Sequence, residues 1–306
     1  MEKRVLLDIV KEICKEEKIE LKDYSKGYII QLKKDDRVEY IYGYSFNLNK
    51  DATSRIMCDK SISYEVLKNA NIPAVEHEIV FNPITRLNYN TYGVWEKIYE
   101  YFKRHNQELV IKVNNGTCGK DVYYCNNADT LDKAVLTIFE REDELCICPY
   151  YDIKNEYRCI YLDGECLLTY TKNKPKVIGN GKNTIAELIS KRKCKVQLDL
   201  PLNLNSIPKK DEIVYLNWKF NLSGGATAEI LVDKTKKEKI EKLAKEAGKV
   251  INARFSSIDI IETRNNEFKI MELNAGIMAT NFIAQIPEGY EIMKNIYRKA
   301  IIKMFE

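Results

Sequence analysis

Histidine is almost missing from this chain: His77 and His105 are the only two among 306 residues. A zinc centre built on imidazoles, or a nucleophile activated by histidine, is therefore not expected. No apolar run approaches the ~20 residues of a membrane-spanning helix, so no membrane association is expected. The opening residues Met1-Glu2-Lys3-Arg4 lead into an amphipathic segment without a long apolar stretch, so no secretory signal is expected either. Charge of one sign is not concentrated. Lys and Arg number 49 against 45 Asp and Glu, a net charge of +4, and the lysines alternate with glutamates. That argues against a dedicated nucleic-acid binder, which shows a concentrated basic face, and leaves room for a mildly positive cleft. GxxxxGK[ST] is absent, which excludes a Walker A loop. There is no internal repeat and no low-complexity tail.

Cysteine is present but unpatterned. The nine are Cys14, Cys58, Cys118, Cys125, Cys146, Cys148, Cys159, Cys166 and Cys194, an odd number. Several lie in apolar, strand-like runs, and free thiols in a reducing cytosol are the expectation. Cys146 and Cys148 share one face of a strand, and core packing is favoured there over a metal or redox pair. Cys118 reads as loop filler, with redox sensitivity as the alternative.

The length exceeds that at which a single core stops growing, so two or three lobes are expected. The spacing predicts a helix over 3–17, short strands within 19–43 and a helix over 60–70 stopped at Asn71-Ile72-Pro73, which make an α/β lobe of residues 1–75. Residues 76–150 read as a second lobe, with helices near 92–105 and 129–140 and strands at 108–113, 121–125 and 145–148. Residues 151–306 form the third. There Asp163-Gly164 joins strands at 156–162 and 165–171, and Thr184-x-x-Glu187 caps a helix. The loop from Asn221 to Thr227 is polar, and helices fall at 235–250 and 288–304.

The most informative stretch is Ser257-Ile258-Asp259-Ile260-Ile261, followed after a polar turn by Phe268 to Gly276. Asp259 sits in an apolar run, where a bare carboxylate is costly unless paired or bound to a cation. Glu272 and Asn274 are two apart and share one face of a strand. Asp, Glu and Asn are hard oxygen donors that suit magnesium held with phosphates. A polar hairpin with incidental acids is the alternative. Lys112 ends a strand and opens a loop bearing Gly116 and Gly119, a combination that suits polyphosphate but also a plain hairpin. Lys60 reads equally as a solvated helix lysine, and Glu156 with Arg158 as a surface ion pair.

Taken in order, these parts resemble the ATP-grasp superfamily of carboxylate–amine ligases over nearly the whole chain. The cyanophycin-synthetase and glutathione-synthetase-like group is nearest, with RimK-type ligases next. The motifs that carry the resemblance are Asp59-Lys60, Val110-Ile111-Lys112 with Gly116 and Gly119, Asn155-Glu156-Tyr157-Arg158, the stretch Val177 to Ile189, Asn221 to Ala228, and the set Asp259, Glu272 and Asn274. The resemblance implies an α/β (α+β) ATP-grasp fold of three lobes with ATP between the central and C-terminal ones. Residues 1–75 would be the lobe preceding the ATP-grasp. ATP would be held by Lys60, Lys112, Gly116, Gly119, Cys148, Tyr150 and Glu156. Two magnesium ions, or manganese, would sit on Asp259, Glu272 and Asn274. Arg158 and Lys112 would be catalytic. Asn221, Ser223, Gly224, Gly225 and Arg254 would face a small-molecule or peptide substrate.

The implied activity is amide or peptide-bond formation through an acyl phosphate, in a cytoplasmic protein capable of homo-oligomerisation. An ATP-grasp phosphotransferase acting on a hydroxyl, and a non-catalytic nucleotide- or peptide-binding module, are the alternatives. The chain departs from the pattern at the hinge, where Pro149 and Tyr150 replace acidic residues. It departs again at Gly224-Gly225-Ala226, and at Ser257, where some D-alanine ligases carry arginine.

Overall fold

The computed structural model describes residues 4–86, 93–117, 119–192 and 194–306. Cys118 lies outside the described residues. The chain opens with α1 (Val5–Glu17), then β1 (Glu20–Tyr24), β2 (Ile29–Lys34), β3 (Arg37–Tyr42) and β4 (Ser45–Phe46), and α2 (Asp51–Cys58) and α3 (Lys60–Asn69). It continues with β5 (Glu78–Phe81), α4 (Val94–Arg104), β6 (Leu109–Lys112), β7 (Val122–Cys125), α5 (Ala128–Phe139) and β8 (Glu144–Pro149). The long strands β9 (Ile153–Leu162) and β10 (Glu165–Asn173) follow, then β11 (Lys176–Ile178), α6 (Ile185–Ser190), β12 (Ile213–Tyr215) and β13 (Thr227–Ile230). The last elements are α7 (Lys234–Ile251), β14 (Phe255–Thr263), β15 (Phe268–Asn274), α8 (Thr280–Gln285) and α9 (Gly289–Met304).

Local chemistry explains the boundaries. Leu6, Ile9, Val10 and Ile13 give α1 one apolar stripe, and Lys18 in the left-handed conformation ends it. Asp59 caps α3 by accepting the Ile62 N–H at 2.8 Å. Thr184 and Glu187 form the capping box of α6 as their spacing predicts. Helix α2 and strands β5 and β13 carry no such local signal.

Among the described residues the strands form three larger sheets and one two-stranded sheet. Their orders are β1-β2-β3-β4, β13-β10-β9-β14-β15, β5-β8-β6-β7, and β11-β12. Every strand pair among the described residues is antiparallel. The five-stranded sheet is covered on one face by α7, α2 and α3, around Tyr157, Ile258 and Ile260. Its other face contributes Ile160, Leu162 and Tyr170 to a core shared with α1, β2, β3 and α9. Segment 1–75 therefore shares both of its cores with segment 151–306. The sheet of residues 78–149 has its own core, between α4 and α5. A small apolar cluster, including Val75, Val110, Cys148 and Ile261, joins the two sheets and forms the back of a cleft.

Candidate active site

The cleft has a cavity volume of about 100 Å³ and opens to solvent. Its apolar walls come from both sheets: Val75, Val110 and Val122 face Ile153, Ile261 and Met271. Tyr150 closes one end, with its ring 4.6 Å from Tyr124 and 6.5 Å from Trp218, centroid to centroid. An apolar, aromatic-ended slot suits a planar heterocycle. The Tyr150 N–H donates to Glu108 O at 3.0 Å and is not free to read a base edge. Tyr150 therefore contributes its ring to the cleft.

The opposite end is cationic. Lys60 starts α3, and its ammonium donates to Asn114 O at 3.0 Å and Gly116 O at 2.7 Å. Asn114 is itself fixed, accepting from Ser61 and donating to Glu144. The first lysine thus ties down the turn that opens the glycine loop. Burial, reinforced by Lys112, lowers the Lys60 pKa, with Glu272 opposing. Lys112, at the end of β6, is 4% exposed and has no hydrogen-bond or ion-pair partner among the described residues. Burial draws its pKa down, but Cys148, Cys146, Glu272 and Glu156 around it outweigh that and raise it. A buried, charged, partnerless ammonium facing a cleft is costly unless an anion completes it.

Gly116 and Gly119 line the same end. Gly119 has φ +67°, and a Cβ there would stand 2.5 Å from Asn221 Oδ1. Only glycine lets the two loops approach this closely. Asn221 faces the cleft. Gly224 and Gly225 are buried, Gly225 packing against the Lys195–Val196 backbone, while Ser223 points to solvent.

The five-stranded sheet supplies the third wall through its register. Tyr170 lies opposite Arg158, Arg158 opposite Asp259, and Asp259 opposite Glu272. One row of side chains thus crosses four strands. A bulge at Met271 shifts the β14–β15 register beside this row, so that both Met271 and Glu272 face the cleft. Asp259 is buried and held by Arg158 through two bonds of 2.6 Å and by Lys172 at 3.0 Å. Burial would raise its pKa, but the two cations outweigh that and hold it well below the usual carboxylate range. Lys172 also pairs with Glu156, whose carboxyl is pushed up by burial.

The residues fit a hard divalent cation in part. Among the described residues Glu272 accepts only from Asn274 Nδ2, at 3.3 Å, so its carboxylate and the Asn274 carbonyl oxygen remain available. Asp259 has both oxygens committed to cations and does not fit as it stands. Among the described residues, no three His, Cys, Asp or Glu side chains gather as a metal cluster.

Nine of the residues singled out from sequence therefore meet at one cleft: Lys60, Lys112, Gly116, Gly119, Cys148, Tyr150, Glu156, Asn221 and Glu272. Asp259, Arg158 and Asn274 adjoin it through the sheet. Arg254 does not join them. Its guanidinium grips Asp163 at 2.9 and 2.8 Å at the β9–β10 turn, roughly 16 Å along β14 from Asp259. Sequence reasoning passed over Lys172 and Trp218. Lys172 carries one available signal, a lysine on the strand face shared with buried Leu168 and Tyr170.

No family model matches the chain. In sequence it is 25% identical over 280 residues to the glutathione biosynthesis bifunctional protein GshAB of Clostridium perfringens, covering 83% of this chain and 34% of that protein. It is 26% identical over 269 residues to the cyanophycin synthetase of Trichormus variabilis, covering 79% of this chain and 28% of that one. The chain thus spans about a third of the length of the curated relatives it matches. In structure it superposes on a bifunctional glutathione synthetase from Pasteurella multocida with a TM-score of 0.58 at 19% identity, over 96% of this chain and 43% of that one. It superposes on the D-alanine–D-alanine ligase of Bacillus anthracis with a TM-score of 0.51 at 16% identity, over 81% and 70%. Helices packed on antiparallel sheets, a cleft between two of those sheets and these structural neighbours agree: the chain has the ATP-grasp fold.

Proposed function

We propose that this protein is an ATP-dependent carboxylate–amine ligase that forms an amide or peptide bond, acting on a small-molecule or peptide substrate. The observation that carries the reading is Lys112, a buried ammonium without a partner in a cleft whose far end is apolar and aromatic. Such a cleft takes a planar base at one end and polyphosphate at the other. Lys60 and Lys112 would hold the phosphates, with the Gly116–Gly119 backbone covering them. Glu156 would meet the ribose hydroxyls from beside Lys172. Glu272 and Asn274 would hold magnesium, which supplies charge neutralisation at the phosphate oxygens when bound. Arg158, locked by Asp259, would offer a rigid cation where negative charge develops on the acyl group. The loop contact between Gly119 and Asn221 would keep water from an acyl phosphate. The relatives support amide formation as the chemistry, and the buried cations support phosphoryl transfer as its first step.

The test is ADP release with ATP and magnesium across amino acids and short peptides, with and without hydroxylamine. Carboxylate-dependent ADP release with a trapped hydroxamate is the expected result. ADP release with a phosphorylated alcohol and no hydroxamate would move the protein to the phosphotransferases. Nucleotide binding without turnover under any mixture would favour a binding module.

A further inference from the structure

A second depression of about 150 Å³ adjoins the aromatic end of the cleft and shares Ile153, Lys174 and Phe220 with it. Its walls carry four cationic groups: Lys154, Lys174, Lys176 and Arg264. Two are answered by carboxylates, Lys154 by Glu262 at 3.3 Å and Arg264 by Asp152 at 3.1 Å. Lys174 and Lys176 have no carboxylate partner among the described residues. Lys174 is half-buried, with its ammonium 5.0 Å from the centre of the Phe220 ring. Burial lowers its pKa, with Arg264 adding to the effect and Asp152 opposing it. The amides of Asn155 and Asn173 and the ring of Tyr215 complete the wall. Nothing in the proposed ligation uses this place, because Glu272, Lys60 and Lys112 stand at the other end of the cleft.

We propose that this depression is a separate binding site for a compact phosphate-class oxyanion, a small phosphorylated metabolite or polyphosphate. The two unanswered ammoniums, Lys174 and Lys176, provide point charges that can close on phosphate oxygens, and Lys154, shared with Glu262 and Asn266, adds to the field. Arg264 is already engaged by Asp152 and adds field more than direct contact. Because Lys174 and Phe220 wall both hollows, an anion here would fix the aromatic end of the nucleotide cleft.

The experiment is calorimetric titration of the full chain with inorganic pyrophosphate at fixed ionic strength, without nucleotide, so it does not depend on ligase activity. Wild type is compared with Lys176→Glu, Lys176→Met and Lys112→Met. Lys176 is exposed on β11 and lies outside the nucleotide cleft, so its replacement should leave nucleotide binding unchanged. The expected result is about tenfold weaker binding in Lys176→Glu, a smaller loss in Lys176→Met, and retained binding in Lys112→Met. Absence of binding to wild type, or an unchanged affinity in Lys176→Glu, overturns the proposal. Loss confined to Lys112→Met, or equal in Lys112→Met and Lys176→Glu, would place the anion in the nucleotide cleft and also overturn it. Citrate binding as tightly as pyrophosphate overturns the phosphate assignment.

Discussion

The two charged walls of the cleft are built on opposite plans. On the five-stranded sheet every buried charge is answered: Arg158 and Lys172 close on Asp259, and Lys172 on Glu156. Across the cleft, Lys112 on the facing sheet has no hydrogen-bond or ion-pair partner among the described residues, and Lys60, at the start of α3, is held by backbone carbonyls. On the first wall the Arg158, Lys172, Asp259 and Glu156 charges cancel within one network, with Glu272 left beside it. The second is an unfinished electrostatic structure that an anion would finish. The same kind of substitution should therefore act on stability at one wall and on ligand chemistry at the other.

The sharpest break is Lys112→Met. It removes a charge with no partner, so the fold should hold or gain stability. If Lys112 neutralises a transferring phosphoryl group, kcat/KM should fall by about 10²–10³-fold. A melting curve beside a steady-state assay checks both. A destabilised protein with normal turnover would erase the contrast between the walls.

Asp259→Asn is the counterpart. It leaves Lys172 buried and Arg158 half-buried beside a neutral amide, and breaking such a pair costs about 3–5 kcal/mol. Urea unfolding should show that loss whether or not nucleotide is present. A variant as stable as wild type would mean that the paired wall is not self-supporting.

A third substitution carries the paired plan to the other face of the same sheet. Glu262 is buried there and accepts from Tyr157 at 2.5 Å, Asn155 at 2.8 Å and Lys236 at 3.2 Å. These donors, with Lys154, outweigh burial and lower its pKa to about 2, from an ordinary 4.5. A depressed carboxylate stabilises the fold above its unfolded pKa and loses that stabilisation as pH falls. Glu262→Gln should therefore cost roughly 3 kcal/mol at pH 7. The gap to wild type should shrink as pH falls from about 4.5 to about 2. A pH-independent gap would assign the effect to packing.

What could be read from the sequence was what local chemistry writes. Lys112 beside a glycine-bearing loop, the Thr184–Glu187 cap and the acids of the last hairpin each announce themselves within a few residues. What could not be read depends on strand register. Lys172 is one lysine in a strand until β9 places Glu156 opposite it and Asp259 one strand further. Arg254 looked free for a substrate because its partner, Asp163, is 91 positions away in the chain. The Met271 bulge leaves no mark in a sequence that alternates well without it. Trp218 lies in an irregular segment, and only the fold brings it to Tyr150.

The smallest expected effect concerns the seam where the two walls meet. Gly119 belongs to the loop on the unpaired wall and Asn221 to the segment that returns to the five-stranded sheet. A Cβ on Gly119 would collide with the Asn221 side chain at 2.5 Å, and φ at +67° disfavours any β-branched residue. Gly119→Val should therefore push the loop off Asn221 without touching Lys60, Lys112 or the apolar slot. Nucleotide affinity should stay within about threefold while turnover falls about tenfold, because closure matters at the reactive phosphate and not at the base. Asn221→Gly in the same chain removes the obstructing side chain and should restore part of the rate if the collision is the cause. Equal losses in affinity and turnover would instead make Gly119 part of the nucleotide seat, and the seam would then belong wholly to the unpaired wall.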